Sequence, residues 1–276
     1  MKGVRESAVA GSFYPSKKEQ IIEFVKKAAK EAELKDDVSA AKSYVAPHAG
    51  YIYSGKTAAY AYKAMSMSDD IDKVETIVFV GSNHTGYGAP ISVSGEDWET
   101  PLGIVRNDRE LSGALAAEDG LTLEETAHAQ EHSIEVQLPF MQVLLPKKRA
   151  CFICMGNQSV GAAEHLSSVI AKAASSLNRR ITVLASSDFN HYESSTVAER
   201  KDRPLFEQIE RMDYKRFYQL KEKSNESSCG YGPIMVSIMF AKSSGARKGT
   251  LLNNSNSGDI TGDYTSVVDY ASFAFI

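Results

Sequence analysis

The segment YVAPHAGYIYSGKT, residues 44–57, can do chemistry in either of two incompatible ways. Gly50, Gly55, Lys56 and Thr57 match the phosphate-loop pattern G-x-x-x-x-G-K-[ST] at every fixed position, which would set Lys56 on the phosphates of a nucleotide. His48 stands just past a short β-branched and aromatic run, where a strand ends and a metal ligand can sit. A phosphate loop needs small residues, because its backbone N–H groups must wrap the phosphates. Here the interior is Tyr51, Ile52, Tyr53 and Ser54, and only ITVLASSD (181–188) approaches a strand ending in a magnesium-sharing Asp. The segment belongs with the histidine.

Two further apolar runs end in the same way. His84 follows Val80 in GSNHTGYG, and Asp188 with His191 follow Ala185 in SSDFNHYE. One such histidine is usually a hydrogen-bonded structural residue. Three at equivalent strand-end positions point to a metal or acid–base site. His132 and Glu135, three apart in EHSIE, would share one face of a helix, as a carboxylate–histidine pair or the rim of a pocket. His128 reads as a solvated residue in a polar stretch and His165 as a residue on a helix surface.

The cysteines divide similarly. Cys151 and Cys154 have C-x-x-C spacing but lie in the apolar run RACFICMG, where residues three apart face opposite sides of a strand. They read as two small buried hydrophobes. Cys229 lies in the Gly-rich turn SSCGYGP ahead of an apolar helix, and a helix N-terminus favours the thiolate that ligates metal. Local sequence leaves Cys229 open between ligand and bystander.

Alternating strands and helices must position these groups. A capping box at Ser16 and Glu19 opens an amphipathic helix to about Leu34. Strands are expected at KSYVAP, ETIVFVG, ITVLASSD and VVDYASFAFI. Helices are expected at GKTAAYAYKAM, after Asp108, at AQEHSIEVQLPFMQVLL with Pro139 as a kink or end, at SVGAAEHLSSVIAKAASSL, and at PLFEQIERMDYKRFYQLKEK. Without repeats or a long linker, the expectation is a single α/β domain over residues 1–276, its sheet mostly parallel or mixed and flanked by helices. A net charge of −4 gives no general attraction for nucleic acid or anionic lipid. No apolar run approaches the ~20 residues of a membrane span, and no secretory signal is evident. Three cysteines are too few for a disulfide framework. A cytoplasmic location is expected, with neither nucleic acid nor membrane as partner.

The motifs VAGSFYP, VAPHAGYIYSG, GSNH, EHSIEVQLPF, SSDFNHY and CGYGP stand in the order found in Memo proteins, and the resemblance runs nearly end to end. It implies a fold similar to that of the class III extradiol dioxygenases, with a metal pocket at the edge of the sheet. It further implies that His48, His84 and Cys229 hold the metal, and that Asp188 and His191 match the acid–base motif. His132 and Glu135 would line the pocket; apart from the resemblance, Tyr51 and Tyr53 stand beside His48, where they either line that pocket or, as such residues more often do, pack in the core. Where the dioxygenases keep a carboxylate ligand, this chain has a thiolate, which suits iron or copper and is compatible with zinc. The resemblance implies redox chemistry on a small molecule, with a non-catalytic module binding a peptide or small ligand as the alternative. AMMECR and radical SAM family partners are its other implication, while an oligomer is left open by the sequence.

Overall fold

The structure, a computed structural model, describes residues 3–276. The strands of its first half are β1 (Val4–Arg5), β2 (Ser43–Ala46), β3 (Thr76–Ser82), β4 (Ile91–Val93), β5 (Asp97–Thr100), β6 (Gly103–Val105) and β7 (Thr122–Leu123). Those of the second half are β8 (Arg149–Met155), β9 (Ile181–Ser186), β10 (His191–Glu193), β11 (Gly249–Asn256) and β12 (Val267–Phe275). Nine form one sheet in the order β10-β12-β2-β9-β3-β8-β4-β7, with β11 paired to β12, while β1, β5 and β6 make a small separate sheet. The central strands β2, β9, β3 and β8 run parallel, and the antiparallel partners β12 and β4 make the sheet mixed.

Period-two alternation explains why helices cover both faces. Val78 and Val80 of β3 join one core with Leu166, Ile170, Ile234 and Ile238, from α5 (Val160–Ser176) and α8 (Tyr231–Ser243). Ile77 and Phe79 turn the other way, to Ile21, Val25, Tyr62 and Phe140. These come from α1 (Lys18–Glu31), α2 (Tyr51–Ser66) and α4 (Leu138–Leu144). The remaining helices are α3 (Arg109–Ala116), α6 (Ser195–Glu210), α7 (Tyr214–Ser224) and the short α9 (Gly258–Thr261). The result is the expected α/β architecture. None of the described helices is long and apolar enough to cross a membrane.

Several local expectations change. Helix α1 starts two residues after Ser16, so the capping box does not form and Lys17 occupies the cap without a side-chain bond. The helix expected over residues 204–223 is two helices, broken at Met212 with φ +55° and restarted by the Asp213 cap. Asp108 does cap α3, accepting from the Leu111 N–H. Residues 129–134 are not helical; a 3-10 turn at Glu135–Gln137 leads into α4, whose first turn holds Pro139. A proline there loses nothing, since that N–H has no helical acceptor.

The phosphate-loop match has no loop. Gly50 is the cap of α2 and Tyr51 its first residue. The Tyr51 N–H donates to the Phe13 carbonyl at 2.7 Å, and those of Tyr53 and Ser54 donate to the Gly50 carbonyl. These groups are committed to protein acceptors, and Lys56 faces Glu31 at 3.7 Å. We expect calorimetry to show no saturable ATP binding, with Lys56→Ala indistinguishable from the parent. Micromolar binding abolished by that change would reverse the assignment.

Candidate metal centre

The parallel register brings the three strand-end loops to one edge. Ala46 of β2 lies opposite Ser186 of β9, and Val80 of β3 opposite Ala185, so His48, His84 and Asp188 leave the sheet side by side. Two glycines let other segments reach this edge. A Cβ on Gly81 would lie 2.5 Å from Ser133 Oγ, so the 131–135 segment rests directly on the end of β3. A Cβ on Gly230 would meet the Ser186 carbonyl oxygen at 2.4 Å, so only glycine lets the Cys229 turn press against β9.

The donor atoms of His48, His84 and His132 all lie within 4.8 Å of one another, a group that could hold a metal ion. Their ring centroids are 4.5–5.4 Å apart. Ser186 donates its hydroxyl proton to the Ser133 carbonyl at 2.6 Å and accepts from Gln137 Nε2 at 2.8 Å. It must therefore also accept at its 2.9 Å contact with His48 Nδ1, which fixes the proton there and leaves Nε2 with a lone pair. His84 Nδ1 donates to Glu131 Oε1 at 2.8 Å, so its outward donor is again Nε2. This is the arrangement that makes imidazoles ligands.

Glu131 is the residue that sequence reasoning missed. Fully buried, it accepts from the His84 backbone N–H at 2.6 Å and from those of His132 and Ser133 at 2.9 Å each. Its Oε1 also lies 3.4 Å from His132 Nδ1. Burial pushes its carboxyl up, but the His84 hydrogen bond and charge, the Ser133 N–H and His132 outweigh that and hold it down at about 2. The same contacts outweigh burial at His84 and raise its pKa. Burial lowers His132 to about 4, and it drives His48 well below its ordinary value with help from the neighbouring imidazoles. A signal existed: Glu131 directly precedes His132, but a helical reading of the segment favoured Glu135.

Cys229 Sγ lies 3.1 Å from His48 Nε2 and accepts from the Asp188 N–H at 3.3 Å. Burial drives its thiol pKa up, so the helix N-terminus does not yield a free thiolate as expected. As a thiol, Cys229 can donate to the His48 lone pair. Cys229 thus borders the cluster through His48, and His132, expected on the rim, stands within it. Asp188 is buried, and its Oδ1 accepts the His48 N–H at 2.7 Å. Burial raises it to about 7 against the His48 and Ala49 N–H groups. It thus anchors the His48 loop. The His191 N–H donates to Ser227 Oγ at 2.8 Å, its Nδ1 is enclosed without a partner, and burial lowers its pKa.

Three expected pocket residues are used elsewhere. Glu135 pairs with Arg5 Nη1 at 2.7 Å and accepts from Tyr14 and the Ala8 and Val9 N–H groups. It turns away from His132 because the segment is not a helix. Tyr51 packs on Phe24 and Phe140 and donates to the Val136 carbonyl, which makes it core. Tyr53 lines a separate cavity with Tyr60 and Asn253. His128 is not solvated but buried against Trp98. His165 does sit at the surface, bonded to the Asp119 carbonyl. Cys151 and Cys154 are buried free thiols.

An α/β domain that gathers three imidazoles, from buried His48 to exposed His84, at the ends of its parallel strands defines a candidate metalloprotein. A model of the family described as Memo-like protein matches residues 5–274. MEMO1 family proteins of Methanocaldococcus jannaschii and Methanosarcina barkeri are 41% and 39% identical, covering 99% and 98% of both chains respectively. One from Methanopyrus kandleri is 38% identical over 98% of both. The chain belongs to the Memo family.

The depressed Glu131 pKa has a definite linkage sign. Its folded value lies below the unfolded one, so its contribution is complete above the ordinary glutamate range and lost as pH falls toward about 2. Urea unfolding should show this as up to about 3 kcal/mol lost over that window. Glu131→Gln should flatten the slope, and an unchanged slope would show that the carboxylate is not what holds the histidines.

Proposed function

We propose that the chain is a metal-dependent redox protein in which His48, His84 and His132 hold iron or copper and Cys229 adds a thiolate. The carrying observation is the convergence of three imidazoles whose Nδ1 atoms face Ser186 or Glu131. The donor set fits such an ion: neutral Nε2 lone pairs beside a sulfur suit a borderline or soft transition metal better than magnesium or calcium. When bound, that metal would supply electron transfer to a small substrate. His48 and His84 orient the site through their fixed tautomers. The Cys229 proton must leave for its sulfur to ligate, so uptake should release protons and weaken at low pH. His191, whose pKa burial lowers, would take a proton from a substrate, and Asp188 holds the His48 loop in register.

The second reading is a non-catalytic module that binds a peptide or small ligand over the same pocket. Tyr87 and Tyr192, 68% and 78% exposed, follow the loops of His84 and His191 and offer aromatic contact surface there. Turnover of a small aromatic or thiol compound under oxygen favours the enzyme. Saturable binding without turnover favours the module.

Protein purified anaerobically without a metal-binding tag should carry iron or copper by elemental analysis. His48→Ala, His84→Ala and His132→Ala should each remove most of it, and Cys229→Ser should weaken retention roughly tenfold or more. Cys151→Ser should leave the content of folded protein unchanged. Full occupancy in all of the histidine variants would overturn the assignment.

A further inference from the structure

The same central strands enclose a second space at their opposite, amino-terminal ends. A cavity of about 220 Å³ opens there between β2, β9, α2 and α8, with Met65, Ile181 and Phe240 among its apolar walls. Its polar lining is rich in unspent donors. Tyr44 is 1% exposed, lines the cavity, and its hydroxyl has no hydrogen-bond partner. The hydroxyls of Ser68 and Ser244 border the same space. Arg180, an exposed residue, also lines it and meets Glu75 through its backbone alone.

The acidic side of the cavity is already answered. Asp70 is bound by Lys42 at 3.3 Å and by Lys73 at 2.9 Å, and it faces no unmatched cation. What remains is a guanidinium and a buried phenol, with neutral hydroxyls and hydrocarbon around them. A buried donor without an acceptor is costly, and a ligand oxygen would remove that cost. The volume is below the ~300 Å³ at which drug-sized pockets begin, so the occupant is one ring or a short chain.

We propose that this cavity binds a small apolar carboxylate, its anion held by Arg180 and the Tyr44 hydroxyl and its hydrocarbon seated against Met65 and Phe240. The site is separate from the imidazole cluster and does not depend on the metal reading. Tyr44 lies on the strand that leads to His48, so the cavity underlies the metal centre without touching it.

Calorimetric titration of the full chain with benzoate and with butyrate tests this, with benzamide as the neutral isostere. At least one carboxylate should bind saturably, and benzamide should bind roughly tenfold or more weakly, the difference expected for a charge-assisted hydrogen bond. Arg180→Gln should abolish the preference for the anion. Tyr44→Phe, which keeps the ring and the fold, should weaken binding several-fold. Binding should persist in His84→Ala, which separates this cavity from a carboxylate caught at the imidazoles. Failure of both carboxylates to bind, equal binding of benzamide, insensitivity to both cavity variants, or loss of binding in His84→Ala would each overturn the proposal.

Discussion

One buried carboxylate organises the candidate centre. Glu131 accepts from His84 through both backbone and ring, and from the backbones of His132 and Ser133. A fully buried carboxylate is stable only when its oxygens are met by donors. Here the donors belong to the groups that must be positioned. Satisfying Glu131 and aiming His84 are a single requirement.

The segment that carries Glu131 has almost no regular structure, so something else must hold it. Arg5 does so, donating to the carbonyls of His128 and Glu131 and pairing with Glu135, while its guanidinium lies 4.1 Å over the Trp98 ring. A residue near the start of the chain thus fixes a loop more than 120 positions away. Because Arg5 and Glu135 are both buried, breaking the pair would leave an uncompensated charge. This clamp also explains why Glu135 is unavailable to the pocket.

Burial sets the proton inventory of the site. It keeps His48 neutral, holds a proton on Cys229 and raises Asp188 to about 7. The Cys229 thiol thus stands next to lone-pair nitrogen on His48. The sulfur lies 3.1 Å from His48 Nε2.

The sequence alone determined the alternating architecture, because strands buried on both faces must be short continuous apolar runs and their loops must carry the polar groups. It also placed His48, His84, Asp188 and His191 at strand ends, and its ordered motifs indicated the Memo family before any coordinate was seen. Composition and periodicity could not decide residues 129–137. There the stretch read as the start of a helix carrying His132 and Glu135, whereas packing on Gly81 and the Arg5 clamp keep residues 129–134 out of one. That difference moved His132 into the cluster, sent Glu135 to Arg5, and gave the orienting role to Glu131. The donor-rich cavity around Tyr44 was equally invisible, since it is lined by residues remote in sequence. Local pattern reports which face of an element is buried. Only the tertiary structure decides which distant donors and acceptors meet there.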